Sequence, residues 1–241
     1  MSKAKLIDIA IIIVLFIGVS TLPVGYFVHD MFWYYVIEAL LMAAVLLFIF
    51  IYARRHTYLY PEKNRFRPKA LLLLLPSILI VGSNFYYAWI LREPLTPNFE
   101  SYHVIQIFFV VASVVVEEII FRFLLLGNLE HENKMIRIVI SAGIFAACHL
   151  THFFSTFNPA SLVVVAYAFG LGMVLGMIYC YTNSLIPCIA LHLLFNLIND
   201  FLFERLFGVS NLLWYYLINV FVAVIVGLYL LVAHLLFLKR L

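Results

Sequence analysis

The sequence predicts an all-α protein, a polytopic membrane bundle of about eight transmembrane helices with both termini in the cytoplasm. Hydrophobic residues make up 66% of the 241 positions and charged residues only 11%, and the mean hydropathy is +1.09. Apolar runs of bilayer-spanning length recur along the chain, and lysine and arginine gather in alternate connecting segments. These values exclude a soluble globular domain.

The apolar runs follow one another from the first residues to the last. They cover residues 6–28, 32–53, 69–91, 103–127, 135–153, 160–181, 184–203 and 212–237. The first run lacks a small-residue cleavage site after a short apolar core, so we interpret it as a membrane helix and not as a cleaved signal. Without an internal repeat or a linker, the sequence predicts a single membrane domain, 1–241.

The predicted orientation follows from the 15 lysine and arginine residues. Arg122 lies inside a predicted span, and Arg92 and Arg205 fall on one side of the membrane. The remaining 12 fall on the other side: Lys3, Lys5, Arg54, Arg55, Lys63, Arg65, Arg67, Lys69, Lys134, Arg137, Lys239 and Arg240. Because positive residues are retained in the cytoplasm, that side and both termini are predicted to be cytoplasmic.

Several features of the sequence have structural interpretations. Gly172 and Gly176 fit the small-xxx-small pattern that lets helices approach closely, and we expect them to pack inside the bundle. Cys148, Cys180 and Cys188 lack metal-ligand spacing and are interpreted as buried packing residues. The basic segment 54–69 is interpreted first as a topology determinant and second as a site for anionic lipid headgroups. Nucleic acid is not an expected partner.

Two adjacent carboxylates, Glu117 and Glu118, lie in the fourth apolar run and are followed by Arg122. Ionisable groups at membrane depth are costly and therefore indicate function. Glu118 and Arg122 are spaced i, i+4 and can neutralise each other. Adjacent helical residues point about 100° apart, so Glu117 needs its partner on another helix.

Two later runs carry polar residues at membrane depth. His149 lies in the fifth run, and His192 and Asn196 lie one helical turn apart in the seventh. At 1.5 Å per residue their depths are compatible with one interior cavity shared with Glu117. The sequence therefore predicts a polar site assembled from three helices within residues 103–203. His152 is a second-tier candidate, and Asp200 extends the Asn196 face.

A carboxylate with imidazoles is typical of a site that activates water. The carboxylate accepts a proton from water, while histidine or asparagine stabilises the developing oxyanion. The same ligands, Glu117, His149 and His192, are compatible with zinc or another divalent metal. The sequence contains neither an H-E-x-x-H helix nor a histidine pair at i, i+4. Both mechanisms, with and without a metal, stay open at this point.

Three motifs, in this order and on separate predicted helices, carry a family resemblance. They are Glu117-Glu118-x-x-x-Arg122, Phe145-x-x-x-His149 and His192-x-x-x-Asn196. Together they resemble the type 2 CAAX prenyl protease and bacteriocin-processing family of intramembrane proteases. The resemblance covers about residues 114–196 and implies an intramembrane endopeptidase, either a metalloprotease or a glutamate-type enzyme.

The resemblance also implies a role for each motif residue. Glu117 would activate the hydrolytic water, with His149 and His192 as its partners or as metal ligands. Asn196 would stabilise the oxyanion, while Glu118 with Arg122 would shape the site or bind the substrate terminus. The implied substrates are prenylated CAAX-type proteins or bacterial peptides and membrane proteins.

Two other classes of function compete with the protease interpretation. A bacteriocin self-immunity protein or another non-catalytic membrane partner is compatible with the resemblance, although the intact motifs favour an enzyme. A cation or proton transporter would also bury glutamate and histidine, but its polar residues should continue to both membrane faces. The compact loops favour a bacterial plasma membrane; a eukaryotic protein would be expected in the endoplasmic reticulum membrane.

Overall fold

The computed structural model of the protein describes residues 2–61, 65–91, 96–151, 160–208 and 212–238. Within these ranges every regular element is a helix. The predicted all-α class is confirmed.

In the described residues, ten α-helices alternate with other helical types. They are α1 (Lys3–Ser20), α2 (Val24–Phe27), α3 (Met31–Arg55), α4 (Pro68–Leu74), α5 (Ser83–Leu91), α6 (Tyr102–Glu118), α7 (Lys134–Cys148), α8 (Ala160–Thr182), α9 (Ile186–Asn196) and α10 (Leu212–Leu236) within the described residues. Short 3₁₀ helices occupy Thr57–Leu59 and Leu75–Ile80. Ile119–Leu126 and Leu197–Leu206 are π-helical.

Among the described residues, six helices are long and apolar enough to cross a bilayer. They are Lys3–Phe27, Met31–Arg55, Tyr102–Leu126, Leu162–Thr182, Ile186–Leu206 and Leu217–Leu236. A helix pair bent by 42°, Pro68–Ile80 and Ser83–Ile90, would make a seventh span. The predicted run 135–153 contains α7, whose 15 residues reach about 22 Å at 1.5 Å per residue, short of a hydrocarbon core of about 30 Å. The count of eight and the cytoplasmic termini stay predictions.

The chain divides into two compact units, each built from two stretches of sequence. Unit 1 comprises Met1–Lys63 and Phe99–Glu130, and unit 2 comprises Asn64–Asn98 and His131–Leu241. The assignment of a single domain over 1–241, with a motif-bearing core at 103–203, stays a prediction.

Unit 1 packs α1 and α3 against α6 and its π-helical extension. The rings of Phe16 in α1 and Phe121 in the π-helix pack edge to face, with their centroids 6.2 Å apart. Asn128 fastens the end of this extension, because its amide donates to the carbonyl oxygens of Leu59 and Leu124, each at 2.8 Å. The helix that carries the glutamate pair is therefore held on both its apolar face and its end.

Unit 2 packs α8 against α7 at two glycines. A Cβ at Gly176 would lie 2.9 Å from Ile138, and one at Gly172 would lie 3.1 Å from the Cα of Ala142. Any larger side chain would push α7 away, which would also move Phe145 at the end of α7. The predicted packing of Gly172 and Gly176 inside the bundle is confirmed.

Candidate functional site

The two glutamates lie at the point where α6 changes from an α-helix to a π-helix. Glu118 is the last α-helical residue, and Ile119 begins the π segment. Short π segments occur frequently at functional sites, because they change which side chains share a face. Glu117 is half-buried, whereas Glu118 is completely buried.

The predicted pairing of Glu118 with Arg122 is present. Nη1 of Arg122 lies 3.3 Å from Oε1 of Glu118, and both side chains are at most 1% exposed. A buried charge without a partner is strongly unfavourable, while a paired one is tolerated. This ion pair therefore engages the carboxylate of Glu118 within its own helix.

In unit 2, α7 ends at the first of the predicted histidines. Nδ1 of His149 lies 3.0 Å from the carbonyl oxygen of Phe145. A carbonyl oxygen can only accept, so Nδ1 carries the proton and donates it, and the lone pair of the neutral ring lies on Nε2. The backbone thereby fixes the tautomer of His149, and Nε2 becomes its basic atom.

Phe145 contacts both histidines of the predicted site. Its ring centroid lies 4.8 Å from that of His149 and 5.9 Å from that of His192, in edge-to-face arrangements of 67° and 86°. His192 is 2% exposed, and Asn196 follows one turn later on α9, half-buried. The structure thus brings His149 and His192 to one phenylalanine within unit 2, with Asn196 on the same helix as His192.

The remaining site predictions have different outcomes. Glu117, Glu118 and Arg122 belong to unit 1, and the two histidines with Asn196 belong to unit 2, so the shared cavity stays a prediction. His152 lies outside the described residues. Asp200 is half-buried, while its neighbour Asn199 is completely buried.

A metal centre requires several suitable side chains close together. The described part of neither unit contains a group of three or more His, Cys, Asp or Glu side chains that could hold a metal ion. Zinc takes at least three protein ligands. The predicted ligand set of His149, His192 and Glu117 draws on both units and stays a prediction.

Sequence reasoning missed a buried network of amides in unit 2. Ser83 donates to Oδ1 of Asn219, and Nδ2 of Asn84 lies 2.6 Å from Oδ1 of Asn199. Nδ2 of Asn199 donates to the carbonyl of Val81 at 3.4 Å. These hydrogen bonds pair buried polar groups with one another in an apolar environment. The partners lie more than a hundred positions apart in the sequence, so no local spacing indicated them.

A second polar cluster joins α1 to the end of α3 in unit 1. The carboxylate of Asp8 accepts hydrogen bonds from the hydroxyls of Tyr52, at 2.8 Å, and Tyr58. Nδ1 of His56 lies 2.9 Å from the Tyr58 hydroxyl and 3.7 Å from the carboxylate. The hydrogen bond to Asp8 raises the pKa of Tyr58 to about 12. This cluster fixes the start of α1 and was not predicted.

The helices and their buried ionisable groups define a multi-pass membrane protein with candidate sites for chemistry at membrane depth. Residues 99–198 match the family described as type II CAAX prenyl endopeptidase, Rce1-like. The matched segment includes every motif residue from Glu117 to Asn196, and the predicted family resemblance is confirmed. The family supports a protease that acts on peptide or membrane-protein substrates in a lipid bilayer.

No curated protein and no solved structure matches the chain. The match to the Rce1-like family covers less than half of the 241 residues. It contains α6, α7 and α9 with their motifs, while α1 to α5 lie outside it.

Proposed function

We propose that the protein is an intramembrane endopeptidase that hydrolyses peptide bonds with a water activated by Glu117, assisted by His149, His192 and Asn196. The observation that carries the proposal is the placement of both histidines against Phe145, with the tautomer of His149 fixed by a backbone carbonyl. Such fixed orientation is what a catalytic imidazole requires. The Rce1-like match over the same residues supports the same reaction.

In this mechanism Glu117 takes a proton from water as the oxygen attacks the carbonyl carbon of the substrate. The resulting tetrahedral oxyanion accepts hydrogen bonds from the side-chain amide of Asn196 and from a ring N–H of His192. Glu117 then returns the proton to the leaving amine, the C–N bond breaks, and a carboxylic acid and an amine are released. Glu117 is half-buried, so its carboxylate is accessible to water.

Glu118 and Arg122 have a different role in the proposal. Their ion pair is buried and neutral overall, and removal of either side chain would leave the other as an uncompensated buried charge. It therefore holds the helix turn that presents Glu117, and it shapes the wall of the site or binds the substrate terminus. The same three side chains, Glu117, His149 and His192, would hold zinc or another divalent metal if one is bound, and the metal would lower the pKa of the attacking water.

We propose that the substrates are prenylated CAAX-type proteins or bacterial peptides and membrane proteins, cut at a bacterial plasma membrane. The description of the matched family supports the first substrate class. Comparative peptidomics of membranes that contain wild-type protein or Glu117→Gln would identify the natural substrate. Peptides that accumulate only with the variant would define the cleavage site.

The test of the proposed function is hydrolysis by purified protein in liposomes. Glu117→Gln preserves the shape of the side chain but removes the base, so turnover should fall by at least about 10²-fold. Glu100→Gln is the matched control, because Glu100 is exposed in the same unit. His149→Ala and His192→Ala should lose hydrolysis together, while His29→Ala, at an exposed histidine, should not.

The same liposomes distinguish a protease from a transporter. The wild-type protein should hydrolyse peptide without measurable proton or divalent-cation flux. Flux that depends on Glu117, without cleavage of any tested prenylated or unmodified peptide, would overturn the proposal. Metal analysis adds a further outcome, since a stoichiometric metal lost in both histidine variants would assign His149 and His192 as ligands.

A further inference from the structure

One face of α6 carries polar side chains from near the start of the helix to Glu117. Gln106, Ser113 and Glu117 are spaced i, i+7 and i+11 on this helix, so they lie within about 40° of one another around its axis. Gln106 is 4% exposed, and Ser113 is half-buried. The proposed hydrolysis uses neither of them. This polar face leads along α6 to the residue that we propose as the base.

Two oxygen atoms on this face have no hydrogen-bond partner within the described residues. They are Oε1 of Gln106 and Oγ of Ser113, and both atoms are buried. A buried polar atom without a hydrogen bond is strongly unfavourable in an apolar environment. A helical serine often donates to the carbonyl of the preceding turn, but the Ser113 hydroxyl makes no such bond. Both oxygens therefore require a partner from outside α6.

The helices α3 and α6 lie side by side in unit 1 and run in the same direction. Near their starts, the ring centroid of Tyr35 lies 5.9 Å from that of Tyr102 and 6.1 Å from that of Phe109. Beyond the end of α3, the ring centroid of Tyr60 lies 5.9 Å from that of Phe123 in the π-helix. Successive turns of α3 therefore meet successive turns of α6.

A buried carboxyl group on α3 faces the polar part of α6. Glu38 is 6% exposed and follows Tyr35 by one turn in the same buried stripe of α3. Because Tyr35 meets α6 between Tyr102 and Phe109, Glu38 meets it about one turn later, near Phe109. This level lies between Gln106 and the next polar residue of the face. An ionisable side chain buried at membrane depth indicates function, and the proposed mechanism does not use Glu38.

A direct hydrogen bond would account for only part of this arrangement. A neutral carboxyl group at Glu38 could donate to Oε1 of Gln106, as polar side chains do between membrane helices. Gln106 and Ser113 are about 10 Å apart along the helix axis, too far for one carboxyl group to reach both. Buried water commonly satisfies such groups, because each molecule is held by two to four polar partners. Bridging water accounts for all three side chains.

We propose that Glu38, Gln106 and Ser113 bind a line of ordered water molecules between α3 and α6 that supplies Glu117 with the water it activates. The inference rests on the proposed function, since it assigns a water source to that reaction. Ser113 lies one helical turn before Glu117, so the line ends beside the carboxylate. A peptide bound over Glu117 would exclude water from its exposed part, whereas this path within unit 1 would still deliver water.

The test is hydroxyl-radical footprinting with X-ray pulses, in which radicals formed from water inside the protein oxidise the adjacent side chains. Met42 reports on the path, because it follows Glu38 by one turn in the buried stripe and is 2% exposed. Met177 of unit 2, at 1% exposed, is the matched buried methionine. In lipid nanodiscs, Met42 of the wild-type protein should be oxidised faster than Met177. Equal oxidation of the two methionines would overturn the proposal.

A double variant tests the two oxygens that lack a partner. Gln106→Leu with Ser113→Ala removes both and should reduce the oxidation of Met42 to the level of Met177. Ser77→Ala is the matched control, because Ser77 of unit 2 also has a buried hydroxyl oxygen without a hydrogen-bond partner within the described residues. The control should leave the oxidation of Met42 unchanged. Undiminished oxidation of Met42 in the double variant would contradict the proposed path.

Variants of Glu38 keep the result interpretable if the double variant does not fold. Glu38→Leu should lower the oxidation of Met42, whereas Glu38→Gln, whose amide still binds water, should preserve it. Equal oxidation in these two variants would overturn the proposal. Oxidation of Met42 does not require hydrolysis, so this result is independent of whether the protein is a protease.

Hydrolysis by the same double variant tests the supply of water to Glu117. Gln106→Leu with Ser113→Ala should lower kcat and leave KM unchanged, because the path serves the chemical step and not substrate binding. Ser77→Ala should change neither constant. Loss of Met42 oxidation with an unchanged kcat would show bound water that does not reach the reaction, and would overturn the supply role.

Discussion

Unit 1 contains a buried ion pair, whereas unit 2 contains a buried network of neutral polar side chains. In unit 1, Glu118 and Arg122 face each other across one turn of the same helix. In unit 2, Ser83 and Asn84 of α5 meet Asn199 of the π-helix Leu197–Leu206 and are hydrogen-bonded to it without a formal charge. The difference shows two ways of keeping polarity in a membrane, one local to a helix and one that joins several helices.

The two arrangements should also respond differently to mutation. Removing one member of an ion pair leaves a complete charge in an apolar environment, whereas removing one amide leaves an unsatisfied hydrogen-bonding group. The expected loss of stability is therefore larger for the ion pair of unit 1 than for the amides of unit 2, even though both sets of side chains are equally inaccessible to water.

The largest loss of stability is expected for Arg122→Ala. The variant leaves Glu118 as a buried carboxylate without its cation, which costs about 3–5 kcal/mol. Thermal unfolding in detergent measures the effect. The double variant Glu118→Gln with Arg122→Met removes both charges and should recover most of the loss; equal melting of the single variant and the wild type would contradict the comparison.

A smaller loss is expected for Asn199→Leu in unit 2. The variant removes the acceptor of Asn84 and the donor to Val81, and leaving such groups unsatisfied costs about 1–3 kcal/mol. Asn196→Leu, three residues earlier and half-buried, provides the opposite pattern. It should lose hydrolysis but little stability, so melting and turnover measured on both variants separate the structural amide from the catalytic one.

The smallest effect concerns Tyr58, whose hydroxyl donates to Asp8 and whose pKa is raised to about 12. The pKa of Tyr58 is about 12 in the folded protein, above the ordinary value of 10.0. The stabilisation by this hydrogen bond is therefore complete below pH 10 and is lost as pH rises toward 12. Melting temperature should fall more steeply over this window for the wild type than for Tyr58→Phe. Parallel curves would show that the hydrogen bond does not contribute.

Local spacing predicted those features that depend on one helix. The i, i+4 interval between Glu118 and Arg122 indicated their ion pair, and the glycine interval indicated that α8 packs closely. Hydrophobic run length also indicated most membrane helices. In each case the interacting groups lie within one element, or the pattern repeats with the helical period, so the sequence carries the information directly.

Features that depend on hydrogen-bond register or on distant contacts were not predictable. Hydrophobicity does not distinguish an α-helix from a π-helix, so the π segments after Glu118 and Asn196 gave no signal. For the same reason the sequence indicated that Asp200 extends the Asn196 face, whereas Asn199 is the buried residue. The placement of Phe145 between two histidines from different helices required the packing of α7 and α9, which no motif spacing specifies.

The most direct test of the account is whether Glu117 of unit 1 and His192 of unit 2 act on the same water. The measurement is kcat/KM for Glu117→Gln, His192→Ala and the double variant, each with melting checked for correct folding. Groups that act as one catalytic unit give strongly non-additive losses. We predict that kcat/KM of the double variant equals that of the less active single variant, within about twofold. Losses that multiply would contradict a shared site.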